Sequence, residues 1–463
     1  MKTVLQILLI LFSPLLLSGQ LEQEIDDYLA QVNETNEIPG SAIAILKGDE
    51  VIYEKYFGMA ELDHQVPVSE KTLFRVYSST KLLTSVAIFQ LVDAGKISVG
   101  DQIGDHLNDL PDAWNKIAIR DLLSHASGLP DLRDLQPEMT ATEILEKLGA
   151  LPLSFPPGDH YQYNQTNYWL LSRIIEVHSD KNFGNFVIDG QFGGDNSGLV
   201  FSSNALEVIP HRTGAHWRTP TGWVRSGDNN GRWGHAANGM AINMPTLIGW
   251  AKRLNQGKLL SKKATTEMTS PYFYTNSLDE FLHGWGVYHT NKVTSRGFTG
   301  GLVSGVRFFP EQDLTILFMS NGFRYFPLHN RVIDRLAGMV DKTLFDEDKV
   351  ALHELANLLL SVDTEAALTE FSTWRKQHPN VLIEGDLNSI GYAVARDGRV
   401  EDAIKIFQLN TEEYPDAWNV WDSLGEGYEM AGDHKKALKY YTRSVKINPD
   451  NQHGIDKIKL LKK

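Results

Sequence analysis

The sequence predicts an α/β or α+β domain running to about residue 345, followed by an all-α array over residues 350–463. Two observations carry this. Strand-like runs stand near both ends of the first part with helical spacing between them, which implies a sheet closed by sequence-distant segments. The second part repeats itself at a constant offset of 34 residues, the signature of stacked supersecondary units.

In chain order, MKTVLQILLILFSPLLLSGQ has one cation at Lys2, a Leu/Ile-rich run from Val4 to Leu17, then small residues at Ser18 and Gly19. Residues 1–19 read as a signal peptide: the run is short for a span of about 20 residues, and Pro14 interrupts it. An uncleaved N-terminal anchor is the other reading. Ser41–Leu46 and Val51–Phe57, joined by Lys47-Gly48-Asp49-Glu50, form a hairpin signal. From Ser78 the pattern becomes helical, with Leu82, Leu83, Val86, Ala87, Phe89 and Leu91 on the period and Gly95 as the stop. A Leu-rich helical middle leads to a loop-rich stretch from about Phe183 to Gly239. Val303–Phe309 and Leu314–Met319 then make a second hairpin around Pro310 to Asp313.

The 463 residues carry Lys+Arg 44 against Asp+Glu 58, a net charge of −14. That is the wrong sign for neutralising phosphates, so no nucleic acid is expected as partner. Cys is 0, which removes disulfides, thiolate metal sites and cysteine nucleophiles together. No metal and no cofactor is expected. After signal cleavage no membrane span is expected either.

In the repeating part, Asn388-Ser389-Ile390-Gly391 matches Asp422-Ser423-Leu424-Gly425, Gly398 matches Gly432, Ala403 matches Ala437, and Pro415-Asp416 matches Pro449-Asp450. A weaker copy, Ala367, Phe371 and Pro379, aligns with Ala403, Phe407 and Pro415 at an offset of 36. The array resembles a tetratricopeptide domain of two good repeats and one degenerate half, which implies a protein partner at the repeats. Because such arrays draw stability from their own neighbours, a chain ending near Leu344 is expected to fold alone.

Ser78-Ser79-Thr80-Lys81 is an S-x-x-K. In the first turn of a helix residues i and i+3 share a face, so the Lys81 amine can reach the Ser78 hydroxyl. Free N–H groups at the helix start favour charge developing at an attacked carbonyl. A neutral Lys can take the serine proton if burial lowers its pKa. A serine at a helix start is otherwise most often an N-cap, and a lysine there a solvated charge. The surrounding motifs change that balance. Phe74-Arg75-Val76-Tyr77 precedes Ser78, and Leu122-Leu123-Ser124-His125-Ala126-Ser127-Gly128-Leu129-Pro130 follows. Pro157-Gly158 leads to Tyr163, and Gly297-Phe298-Thr299-Gly300-Gly301 closes the order. Together they resemble the serine β-lactamase and penicillin-binding-protein-like hydrolases, nearest the class C and family VIII esterase branch, over about residues 38–345.

The resemblance implies an antiparallel sheet flanked by helices with a helical subdomain. It implies Ser78 as acyl-accepting nucleophile, Lys81 as its base or proton relay and Tyr163 as proton shuttle to the leaving group. It also implies an oxyanion hole from the backbone N–H groups of Ser78 and Gly301, and substrate binding by Gln165, Phe298, Thr299 and Gly300. Glycines at 300 and 301 suit a strand edge that a substrate approaches closely. Two positions depart from the family. Gln165 replaces the Asn of its Y-x-N element, keeping the amide but altering its reach. Phe298 replaces the usual Lys or His, and a phenyl ring holds no carboxylate. A β-lactam or D-Ala-D-Ala end is therefore disfavoured, and a neutral or bulky ester, amide or lactone fits better. Tyr163 also sits among Tyr161, Tyr168 and Trp169, as a core aromatic would.

Arg212, Arg218, Arg225 and Arg232 crowd residues 211–235 with Trp217, Trp223, Trp233, His211, His216 and His235 against one acid, Asp228. This is either a pocket rim whose Arg replaces the cation missing at Phe298, or a long loop held by Trp packing with solvated Arg, the favoured reading. The whole reads as a secreted or periplasmic serine hydrolase taking a small-molecule or peptide-like acyl substrate. The alternative is a catalytically impaired fold that binds a cell-wall or peptide ligand, with the repeats recruiting a partner.

Overall fold

The computed structural model describes residues 14–301, 303–361 and 363–462. Most of the signal-like segment, residues 1–13, lies outside the described residues; helix α1, Pro14–Thr35, begins within it and runs past Gln20. A nine-stranded antiparallel sheet forms the centre. Its strands are β1 Gly40–Lys47, β2 Glu50–Glu61, β3 Val66–Pro67, β4 Pro271–Tyr272, β5 Phe281–Leu282, β6 Gly286–Thr290, β7 Val293–Gly300, β8 Ser304–Phe309 and β9 Leu314–Ser320. The order across the sheet is β3-β2-β1-β9-β8-β7-β6-β5-β4. Both hairpins read from the sequence are present as β1–β2 and β8–β9, and β1 pairs with β9, closing the sheet between chain-distant segments.

The register explains why β1 is a nearly unbroken apolar run. Ala42, Ala44 and Leu46 face one side with Leu317 and Met319 of β9, while Ile43 and Ile45 face the other with Ile316 and Phe318. Alternating side chains feed two cores, so both faces are buried. The first core holds α2, Thr80–Asp93, with α3, Gln165–Ser179, and α4, Met244–Asn255. Along α2, Thr80–Phe89 are all buried. A helix buried all round belongs in an interior, and Gly95, at φ +67°, ends it in the left-handed conformation. The stretch expected to be loop-rich holds more structure than that: a helix over Phe183–Phe192, and a small sheet of His216–Thr219, Gly222–Arg225 and Gly322–Phe323.

The second core holds α1 and α5, Leu328–Val340, and continues into the repeats. These are α6 Glu347–Leu360, α7 Thr364–Gln377, α8 Glu384–Arg396, α9 Val400–Glu413, α10 Trp418–Met430, α11 His434–Ile447 and α12 Gln452–Leu461. Successive helices pair as α6–α7, α8–α9 and α10–α11. The 34-residue offset has a packing cause. A Cβ at Gly391 would meet Phe407 at 2.4 Å, and one at Gly425 would meet Tyr441 at 2.9 Å. Each repeat therefore seats an aromatic ring of its second helix on a glycine of its first. Upstream, Ala367 and Phe371 of α7 are buried as Ala403 and Phe407 of α9 are, and α6 completes the half that the sequence left degenerate.

Against the expected independence, the two parts pack on one another. Tyr325, Leu328 and Leu336 share one apolar cluster with Leu355, Leu359 and Leu360 of α6 and Leu387 and Ile390 of α8. Asp397 receives Arg324 at 2.6 Å and Arg218 at 3.3 Å, and Arg331 pairs with Asp386. Nearest-neighbour stacking is real, but α6 packs on α5 of the sheet domain as well as on α7 and α8 of the repeats.

Candidate active site

Ser78 lies in a tight turn, Tyr77–Ser79, directly before α2, so Ser78 and Lys81 share the first turn at the buried end of that helix. Tyr77 is held at φ +43°, a costly conformation for an aromatic residue. Its ring lies under the Arg75 guanidinium at 4.5 Å, and Arg75 binds Asp228 through two nitrogens, both at 2.9 Å. The single acid of the basic stretch thus pins the turn carrying Ser78. Ser304 ties it from the other side, donating to Val76 O at 2.8 Å and contacting Ser79 Oγ at 2.9 Å.

Lys81 is fully buried, with no carboxylate at its amine among the described residues. It donates to Gln165 Oε1 at 2.9 Å and Ala237 O at 2.8 Å, and Nζ lies 3.4 Å from Ser78 Oγ. Burial drives its pKa well below the usual lysine value, with the more distant Asp131 only partly opposing. The longer amide of Gln165 reaches the amine; α3 opens behind the Asn164 cap so that Gln165 is its first residue. The Ala237 carbonyl was not foreseeable, because a backbone oxygen carries no residue signature.

The loop after Pro157-Gly158 delivers Tyr163, whose hydroxyl donates to Ser78 Oγ at 2.6 Å. Burial pushes the Tyr163 pKa up to about 12. Its ring is flanked by His125, at 4.4 Å between centroids, and by Lys81 Nζ at 4.8 Å. The His125 Nδ1 accepts the Asn164 N–H at 3.1 Å, and burial keeps that imidazole neutral. The Leu122–Pro130 motif therefore supplies the platform on which the Tyr163 ring rests. A cleft of about 250 Å³ opens beside Tyr163, with Asp131, Arg133 and Ser154 in its wall.

Strand β7 ends against the Ser78 turn. A Cβ at Gly300 would lie 1.9 Å from Val76 O, and one at Gly301 would lie 2.4 Å from the Tyr77 ring. The two glycines are thus required by the chain's own turn, a closer neighbour than the substrate the sequence suggested. Phe298 points into the first core at 8% exposure, its ring 6.4 Å from Tyr163 and 6.2 Å from Phe281. Thr299, one residue on, turns to the opposite face and donates to Asn330 Oδ1 of α5 at 2.8 Å. Arg307 binds the same oxygen at 2.8 Å.

Three of the four arginines of residues 211–235 are engaged elsewhere, and none of the four lines the cleft beside Tyr163. Arg212 holds the carbonyls of Asn204, Ala205 and Glu207; Arg218 pairs with Glu37 and Asp397; Arg225 pairs with Glu61. Nor are these three simply solvated, as the favoured reading had it, since each closes a loop or joins two parts of the fold. Arg232 and His235 line a cavity of about 590 Å³ with Trp169, Arg173 and Glu176 of α3. Among the described residues no cluster of three or more His, Asp or Glu could hold a metal ion, and no helix is long and apolar enough to cross a membrane.

The β-lactamase family model matches residues 25–337, more than half of the chain, and spans every motif of the Ser78 site. The chain belongs to the β-lactamase family. A tetratricopeptide repeat model matches residues 418–451, that is α10 and α11 with the turn after them. Among curated relatives of this β-lactamase-family chain, protein flp of Staphylococcus aureus (strain MW2) is 27% identical over 184 residues, 37% of this chain and 36% of the relative. Penicillin-binding protein 4* of Bacillus subtilis (strain 168) is 30% identical over 165 residues, 34% of this chain and 36% of the relative. The match thus spans little more than a third of the length of either relative. Among solved structures, the D-amino acid amidase of Ochrobactrum anthropi SV3 superposes with a TM-score of 0.59 at 22% identity, covering 71% of this chain and 99% of the amidase. The octameric penicillin-binding protein homologue of Pyrococcus abyssi gives 0.58 at 19%, covering 72% and 81%. At these identities the likeness shows the fold: an antiparallel sheet with helices, as the sequence implied.

Proposed function

We propose that this chain is an exported serine hydrolase acting through an acyl-enzyme on Ser78, with an uncharged or bulky ester, amide or lactone as substrate. The observation that carries the reading is Ser78 Oγ held between the Tyr163 hydroxyl at 2.6 Å and a buried amine at 3.4 Å. A neutral amine has two N–H donors and one lone pair. Gln165 Oε1 and Ala237 O take the donors, which leaves the lone pair free for the Ser78 proton. Tyr163 stays protonated through neutral pH and has a proton to pass to the leaving group. The N–H groups of Ser78 and Gly301 would receive the oxyanion, and water then releases the acid. Because the departing amide of Gln165 still meets Lys81, the arrangement favours catalysis over a binding-only role. The purified chain should turn over neutral p-nitrophenyl esters, and a panel lacking any hydrolysed ester, amide or lactone would overturn the reading.

The aromatic packing of Phe298 supports the preference for uncharged substrates. Phe298→His should raise the ratio of β-lactam to neutral-ester hydrolysis by about ten- to a hundredfold, the scale of a restored charge-assisted contact. Arg212, Arg218 and Arg225 are engaged elsewhere and Arg232 lines a separate cavity, so the single variant reads the effect; an unchanged ratio would place the substrate carboxylate elsewhere. Export is part of the proposal. Mass analysis of exported protein should find a start within a few residues of Gln20, and Met1 would show an anchor instead. The repeats are proposed to receive a protein partner.

A further inference from the structure

Arg296 stands two residues before Phe298 on β7, on the same face of the strand, about 7 Å away by strand rise. It is half-buried, and among the described residues its guanidinium makes no hydrogen bond or ion pair. Only burial acts on its pKa, lowering it from the usual value without help from a neighbouring charge. An arginine so placed is normally paired, as Arg75, Arg307, Arg324 and Arg331 are. Arg296 instead lines a cavity of about 610 Å³ at the edge of the sheet, with walls from Tyr272, Phe281, Leu282 and Val287. The two acids at this cavity are engaged away from Arg296: Asp279 accepts the Ser277 hydroxyl and Glu280 meets the His289 ring. At the mouth, Phe273 is 85% exposed and Leu278 is 101% exposed, the kind of uncovered apolar surface that marks a ligand site.

We infer that this cavity binds an amphipathic carboxylate, its apolar body along Phe281 and Leu282 and its carboxylate on the unpaired Arg296 guanidinium. The chemistry follows from the wall. Aromatic and aliphatic surface with one convergent cation is the common make-up of a small-molecule site, and the volume lies within the usual range. Arginine meets a carboxylate through two parallel N–H groups, which fixes orientation as well as charge. Phe281 is also 5.5 Å from His125 and 6.2 Å from Phe298 between ring centroids. One wall is therefore shared with the aromatic platform under Tyr163, while the cavity itself does not include Ser78.

The test is direct binding, which needs no turnover and so stands apart from the fate of the hydrolase reading. Titration calorimetry of the full chain should show octanoate and 3-phenylpropionate binding, with octanol and 3-phenylpropanol at least about tenfold weaker. Arg296→Gln should weaken the acids about tenfold or more while leaving the alcohols unchanged, and Arg296→Lys should fall between. Should Arg296→Gln fail to fold, Leu278→Asp places a like charge at the exposed mouth and should weaken the acids selectively. Equal affinity for acid and alcohol, undiminished acid binding in Arg296→Gln or Leu278→Asp, or no acid binding at all would overturn the inference.

Discussion

Replacing Lys81 by Met will lower kcat/KM by about a hundred- to ten-thousandfold, the scale for losing an activating base. Methionine matches the lysine stem and needs no counter-ion, so the variant should fold; the cost is Gln165 Oε1 and Ala237 O left without a donor, about 1–3 kcal/mol each. The pH profile of the unaltered chain distinguishes a base from a structural amine. Protonated Lys81 has no lone pair, so activity should fall as pH drops through the Lys81 pKa. Burial sets that value well below 10.5, so this limb should lie well below 10.5 too. Stability moves the same way. Between the depressed folded pKa and the ordinary unfolded one the unfolded chain holds more protons, so stability rises with pH across that window and is complete above the unfolded value. Lys81→Arg, charged at every accessible pH, should be inactive throughout. A Lys81→Met variant within tenfold of the unaltered chain would remove the base from the account.

A chain truncated after Phe345 will not hold its fold. Tyr325, Leu328 and Leu336 share one apolar cluster with Leu355, Leu359 and Leu360 of the repeats, and Asp397 and Asp386 of the repeats pair with Arg324 and Arg331. Uncovering even four such apolar side chains forfeits about 1.5–3 kcal/mol each, a sum comparable with the whole stability of about 5–15 kcal/mol. The guanidinium groups of Arg324 and Arg331, left without their carboxylates, add to it. The truncated chain should be insoluble or melt at least about 10 °C below the full chain by calorimetry. A soluble truncated chain with an unchanged melting temperature would mean that the shared cluster adds nothing. The link also reaches the site. Thr299 leans on Asn330, Arg307 binds both Asn330 and Asp334, and Lys349 of α6 reaches Asp334 at 2.7 Å.

Much of this arrangement was legible in the chain, because it is written in local patterns. The β1–β2 and β8–β9 hairpins follow from alternation and turn residues, and α2 from its spacing and Gly95. The repeats follow from glycines that recur because an aromatic ring packs on Gly391 and Gly425, while Gly398 and Gly432 take a positive φ. At the site, Ser78 and Lys81 are three residues apart on one helical turn, so their meeting was a matter of geometry. Tyr163 and Gln165 reached it only through the order of motifs. What was not legible depends on long-range partners. Nothing near Arg218 says that Asp397, 179 residues away, will meet it, and an arginine without its partner in view looks solvated. Phe298 was visible as a departure, but its packing on Phe281 and the lone cation at Arg296 emerge only when the strands are laid side by side.

The central claim is that Ser78 takes the acyl group, and covalent labelling tests it most directly. The full chain incubated with a fluorophosphonate probe should gain the mass of one adduct, mapped by peptide mass analysis to the segment holding Ser78-Ser79-Thr80-Lys81. Ser78→Ala should gain none under the same conditions. An unlabelled chain, or an adduct that survives in Ser78→Ala, would contradict the account.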